Sequence, residues 1–163
     1  MSGENISLDR KINETNPIQP YYLWYQYIES GRTTSIGNRI AVSAWVSCPS
    51  GGSNCSITSS TGWSVSASYS AGISTSAAKS AVQGSASFTW NTTASRSTSY
   101  TIPIQPGKRG RMMFFPEFNY TYGTLRTWSG STILETKSVN AQSPKKVVGT
   151  GDPDGTFFIE YSN

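Results

Sequence analysis

A chain of 163 residues is sized for one domain and is long enough to bury a core without help from metal. Charged residues make up only 13% and aromatics 12%, with Ser, Thr, Gly and Asn abundant, which excludes a disordered polyelectrolyte and suits a secreted or surface all-β protein. The formal charge of +4 is scattered rather than gathered in a tract, which favours acidic surfaces such as anionic lipid mildly and argues against nucleic acid, while the lack of any histidine and the presence of only two cysteines exclude structural zinc.

Residues 1–20 are polar and end in Asn-Pro-Ile-Gln-Pro, which reads as an extended arm, too polar for a signal peptide. The expectation is a protein that is secreted with its leader removed, or released without one. No apolar run approaches the length of a transmembrane helix. Residues 21–28, with Tyr21, Tyr22, Trp24, Tyr25 and Tyr27, suit a strand covered on both faces and closed by a turn at Ser30-Gly31. These rings serve either a core that is short of Leu and Ile, or a sugar-binding surface. A second strand is expected over 39–47, where Ile40, Val42 and Ala44 oppose Ala41, Ser43 and Trp45. Cys48 and Cys55 then enclose Pro-Ser-Gly-Gly-Ser-Asn, which predicts a small disulfide clip in an oxidising compartment, against two free thiols in a reducing one.

Between residues 61 and 104 one pattern is written twice. Trp63, Val65, Ala67, Tyr69, Ala71 and Ile73 alternate with Ser and Gly, and the phase resumes at Val82, Gly84, Ala86, Phe88 and Trp90. Strand side chains alternate between faces, so this predicts a long hairpin with one apolar and one hydroxylated face, bending within 76–81 at Ala77, Ala78 and Lys79. The predicted register sets Tyr69 opposite Phe88 and Ala67 opposite Trp90. Farther on, strands are expected at 100–104, at 111–118 with a break at Pro116, at 124–128, 131–135 and 146–148, and at 156–161 after the turn Asp152-Pro153-Asp154-Gly155. That turn outweighs a calcium loop, because the remaining oxygen ligands of an EF-hand pattern are missing. No stretch shows a sustained 3.6-residue apolar period. The expected fold is a single all-β domain over 1–163, an elongated, twisted antiparallel sheet or sandwich carrying the Ser/Thr-rich hairpin.

Catalysis finds little support. The many serines have no histidine to activate them, Gly-x-Ser-x-Gly is absent, and neither a cofactor nor a metal is expected. Lys108, Arg109 and Arg111, with Tyr22 and Trp24, are the candidates for headgroup or receptor contact. The hairpin meets a physical requirement of its own, since crossing a bilayer takes about 9–11 tilted residues per strand. A lone hairpin leaves its outer edges unpaired in hydrocarbon, so several copies would have to close a barrel.

The runs Gly62-Trp-Ser-Val-Ser-Ala-Ser-Tyr-Ser-Ala-Gly-Ile73, Gly84-Ser-Ala-Ser-Phe-Thr-Trp-Asn91 and Ser99-Tyr-Thr-Ile-Pro-Ile-Gln-Pro-Gly-Lys108 resemble the insertion module of aerolysin-like β-pore-forming toxins. The resemblance covers about residues 55–125 and implies that 63–73 and 82–90 form a transmembrane hairpin with its tip at 76–81. It further implies a homo-oligomer acting on a target-cell membrane through a lipid or glycan receptor, and associated with that membrane after assembly. Lys79 departs from the apolar tips of the family, because it would have to cross the bilayer and stay in water. Two other readings stand beside this one. A structural or adhesive surface protein would pair edges into a fibre, and a carbohydrate-binding module would use the Tyr/Trp cluster.

Overall fold

The computed structural model describes residues 22–162, so the polar arm assigned to 1–20 lies outside the described residues. The elements in chain order are β1 (Leu23–Ile36), β2 (Ile40–Ala41), β3 (Val46–Ser47), β4 (Cys55–Thr58), β5 (Ser64–Ser66), β6 (Ser68–Tyr69), α1 (Ser76–Ser85), β7 (Thr93–Ser95), β8 (Thr101–Ile104), β9 (Arg109–Ser129), β10 (Thr132–Pro144) and β11 (Gly155–Tyr161). The fold is all-β and antiparallel, as the composition and alternation predict.

β9 organises the sheet. Its 21 residues, at about 3.3 Å each, span about 70 Å. Its C-terminal half lies between β1 and β10, and its N-terminal half pairs with β11, β2 and β3. Side chains alternate along a strand, and the two core clusters take opposite faces of β9, with Met113 buried outside both. The even-numbered Met112, Phe114 and Phe118 enter a first core with Val42, Ile57, Val65 and Ile104, beneath the small β4–β8 and β5–β7 ladders. The odd-numbered Leu125 enters a second core with Tyr27, Ile73, Ala78, Val82 and Val139.

Pro116 does not break β9, contrary to the sequence expectation. It sits where the strand changes partners, between Ile36 opposite Glu117 and Gly155 opposite Pro116, and its carbonyl accepts from Gly37 at 2.8 Å. A proline is tolerated where no partner needs its missing N–H. Likewise Ser30-Gly31 is not a turn. β1 runs through it with a bulge between Glu29 and Gly31, and two glycines make room for it. A Cβ at Gly31 would clash with the Tyr122 phenol, and one at Gly123 with the Ile28 carbonyl.

The strand expected at 39–47 forms as two short pieces on β9. Between them the Ser43 hydroxyl accepts from the Met112 amide at 2.8 Å. The disulfide between Cys48 and Cys55 is present, with Cα atoms 5.8 Å apart. Of 146–148 only a single bridge forms, Lys146 to Pro153.

The long hairpin predicted over 61–104 is overturned. Only its base exists, as the β5–β7 ladder with Ser64 opposite Ser95, Val65 opposite Ala94 and Ser66 opposite Thr93. The register is two residues from the expected one, so the predicted faces survive although the partners change. Residues 76–85, assigned to the tip and the start of the second strand, form α1. Thr75 caps it, its hydroxyl accepting from the Ala78 amide at 3.1 Å, and Ala78 and Val82, one turn apart, reach the second core. Two apolar contacts and a cap suffice for a helix whose sequence carries no broad apolar stripe.

Two glycines should respond with opposite signs. Gly123→Ala puts a Cβ into the Ile28 backbone and should cost about 2 kcal/mol or more. Gly84 lies in α1 with open space around its Cβ position, so Gly84→Ala should stabilise by about 0.5–1 kcal/mol. Urea denaturation of both variants checks the pair, and equal signs would contradict the packing described.

Candidate functional site

The residues assigned to one apolar hairpin face are divided between the two cores. Trp63 packs on Phe114 with ring centroids 4.9 Å apart, donates its indole N–H to the Ser60 carbonyl, and joins Val65 at the first core. Half-buried Ala67 marks the division, its amide still donating to the Thr92 carbonyl at 2.8 Å. Beyond it, Tyr69, Ile73, Val82 and Trp90 belong to the second core, while Ala71 and Ala77 are exposed. Ala86 and Phe88 are half-buried, with Arg32 over the Phe88 ring. Lys79 lies over the Tyr69 ring at 5.1 Å, and the Tyr69 hydroxyl accepts from Gln83 at 2.7 Å.

Tyr69 and Trp90 stack at 5.6 Å. The observed ladder pairs residues whose numbers sum to 159, and 69 + 90 continues that sum beyond the last ladder pair, Ser66 with Thr93. Backbone pairing with the β7 side ends at the Ala67 amide on Thr92, and beyond it Ser68 and Tyr69 pair with Gln142 and Ala141 of β10. The Trp90 indole N–H is buried without a partner, a group that a rearrangement would release.

This segment is fastened to the long sheet by a network that sequence reasoning missed. Thr121, fully buried on β9, donates to the Glu29 carboxylate at 2.6 Å, which leaves Tyr27 as the donor in its 2.6 Å bond to the Thr121 hydroxyl. Glu29 also accepts from the Ser87 amide at 3.4 Å, just past α1. Burial pushes the Glu29 carboxyl up, but the hydrogen bonds from Thr121 and Ser87 and the charge of Arg32 outweigh it and hold the carboxyl below its ordinary value. Burial raises the Tyr27 phenol, in keeping with its donor role. On the other side Asn91 bonds to Ser143 and Pro144 on β10. Nothing in the spacing of Glu29, Ser87 and Thr121 announces that they meet.

The contact candidates do not form one site. Lys108, Arg109 and Arg111 stand at the N-terminal end of β9, where Arg109 and Arg111 lie over the Trp45 ring at 4.6 and 4.7 Å and Arg111 pairs with Glu160. Trp24 stacks on Trp128 at the other end, beside Tyr22. Nineteen strand steps from Arg109 to Trp128, at about 3.3 Å each, separate the two clusters by about 60 Å. Asp152 is committed to structure: the Ser97 amide, burial opposing it, the Ser97 hydroxyl and Arg96 together lower its carboxyl. Among the described residues no three acidic, Cys or His side chains gather where they could hold a metal.

The family model that matches this chain covers residues 19–160. The chain belongs to DUF6060, a family of unknown function. No curated protein and no solved structure matches it. Nearly the whole described fold lies within the DUF6060 match, so both cores, α1 and both ends of β9 are parts of the family domain.

The fastening network should be acid-labile. Glu29 has a lower pKa folded than unfolded, so its stabilising share is complete above the unfolded value and fades as pH falls through the folded one. Urea unfolding from roughly pH 5 to 3 should show a steeper loss of stability in the native chain than in Glu29→Gln, Asp152 supplying the common remainder. Parallel slopes would remove Glu29 from the account.

Proposed function

We propose that this protein is an oligomerising β-pore former, released from its producing cell and non-enzymatic, in which the segment from Trp63 to Asn91 exchanges its strand–helix–strand form for a continuous ribbon at a target membrane. The observation that supports it is the conflict within this one segment between residue pattern and structure. Its alternation suits an extended ribbon, yet it rests as short strand pieces and a helix tied to β1 and β10. Places where local pattern and adopted structure disagree are where a fold gives up stability for something else.

Extending the observed register continues the ladder from Val65 opposite Ala94 through Tyr69–Trp90, Ala71–Phe88 and Ile73–Ala86 to a tip around Lys79. Each arm then exceeds the roughly 9–11 residues that a tilted crossing needs, with Ser and Thr facing the lumen. Refolding would remove Ile73, Ala78 and Val82 from the second core, which favours the resting form until lipid and neighbouring copies replace those contacts. The Cys48–Cys55 bridge suits an oxidising extracellular setting. No helix among the described residues is long and apolar enough to cross a membrane, and the proposal needs none.

A reversible lock tests it. The Cβ position of Gly72 lies against the Val139 side chain, so Gly72→Cys with Val139→Cys should bridge the segment to β10. The oxidised double variant should release no dye from liposomes, and reductant should restore release to the level of the native chain treated in the same way. A bridged protein that leaks like the native chain, or a native chain that never leaks, contradicts the proposal.

A further inference from the structure

The end of the molecule where β9 turns into β10 is built unlike the rest of the surface. Tyr22, Leu23, Ile133 and Leu134 are 71%, 48%, 43% and 57% exposed, and they lie at the same sheet end as the stacked Trp24–Trp128 pair, Ile133 directly opposite Trp128. No charged residue occurs from Tyr22 to Ile28 or from Thr127 to Leu134. The Gly130 peptide groups and both indoles of this tip find partners inside it. The Gly130 amide donates to the Tyr22 carbonyl at 3.1 Å, the Gly130 carbonyl accepts from the Trp24 indole at 2.8 Å, and the Trp128 indole donates to Gln26 at 3.0 Å. A turn whose N–H, C=O and flanking indoles are already satisfied loses little when water is removed.

From this geometry we infer that the β9–β10 tip docks into the headgroup–acyl boundary of a lipid bilayer, through Leu23, Ile133, Leu134 and the Trp24–Trp128 pair. The tip is the β9–β10 turn at the end of the three-stranded sheet, where a deformable lipid interface can cover both of its faces. Tryptophan with aliphatic neighbours is the composition that settles at that depth, and the hydroxyls of Ser129, Ser131 and Thr132 keep the insertion shallow. The net charge of +4 adds attraction to anionic lipid without supplying the contact. This deepens the proposed function and rests on its choice of lipid as target. It assigns docking to the apolar end and leaves the Lys108–Arg111 end, about 60 Å away, facing water.

The test uses the full chain with an environment-sensitive fluorophore on Leu134→Cys, and on Val148→Cys, a 99% exposed loop position away from the tip, as control. With phosphatidylcholine vesicles, with and without phosphatidylserine, the label at 134 should shift to the blue and the label at 148 should not. Leu23→Ser with Ile133→Ser and Leu134→Ser changes exposed positions only, and with its circular dichroism unchanged it should bind vesicles at least about tenfold more weakly. A silent label at 134, unchanged binding by the triple variant, or binding that vanishes in about 0.5 M salt overturns the inference, the last by pointing to the basic end. Dye release recorded in the same samples separates this inference from the pore proposal. A shift at 134 without leakage supports docking and removes the pore, and leakage with a silent 134 supports the pore and removes tip docking.

Discussion

The constraint on which the rest depends is that one unbroken strand, β9, serves two cores with opposite faces. Its N-terminal half sends Met112, Phe114 and Phe118 into the first core, and its C-terminal half turns Leu125 and Thr121 toward the second. Because β9 is a single hydrogen-bonded rod, the two cores hold a fixed relation, and everything else is positioned by the half it packs on. The disulfide clip and the β4–β8 and β5–β7 ladders complete one end. The β1–β9–β10 ribbon and its tryptophan tip extend from the other.

Against this rod the segment from β5 to β7 is the part that divides itself between both cores. Its base is woven into the first core by Trp63 and Val65, and its far part enters the second through Tyr69, Ile73, Ala78, Val82 and Trp90, with Ser68–Tyr69 paired to β10 and the Glu29–Thr121–Ser87 contacts on the other side. The division falls near Ala67, between Val65 in the first core and Tyr69 at the second. The membrane reading unites this segment with the docking tip: one end of the ribbon would hold the bilayer while the segment from Trp63 to Asn91, divided between the two cores, supplies the strands.

Much of the fold was legible in the sequence, and the failures have identifiable causes. Alternation over 100–104 and 156–161 and the short cysteine loop predicted β8, β11 and the disulfide, because a strand with one buried face writes that fact directly. The same signal misled over 61–91, since alternation records which face a residue takes and not which partner it meets. There Val65 and Ile73, in phase along the chain, end in different cores. α1 was hidden because Ala78 and Val82 are its only fully buried side chains. The length of β9 was masked by Pro116 and Gly123, residues that ordinarily end strands but here mark a change of partner and the site of a facing bulge. The tryptophan tip required two strands about a hundred residues apart to be brought together, which no local pattern specifies.

Hydrogen–deuterium exchange with and without vesicles tests most directly the claim that the segment around α1 refolds on lipid while β9 does not. In solution the amides of α1 should exchange well before those of β9 from Met112 to Leu125, and on vesicles the residues of α1 and its flanks should gain protection while β9 stays unchanged. An α1 as protected as β9 in solution, or one that gains nothing on lipid, would contradict the account.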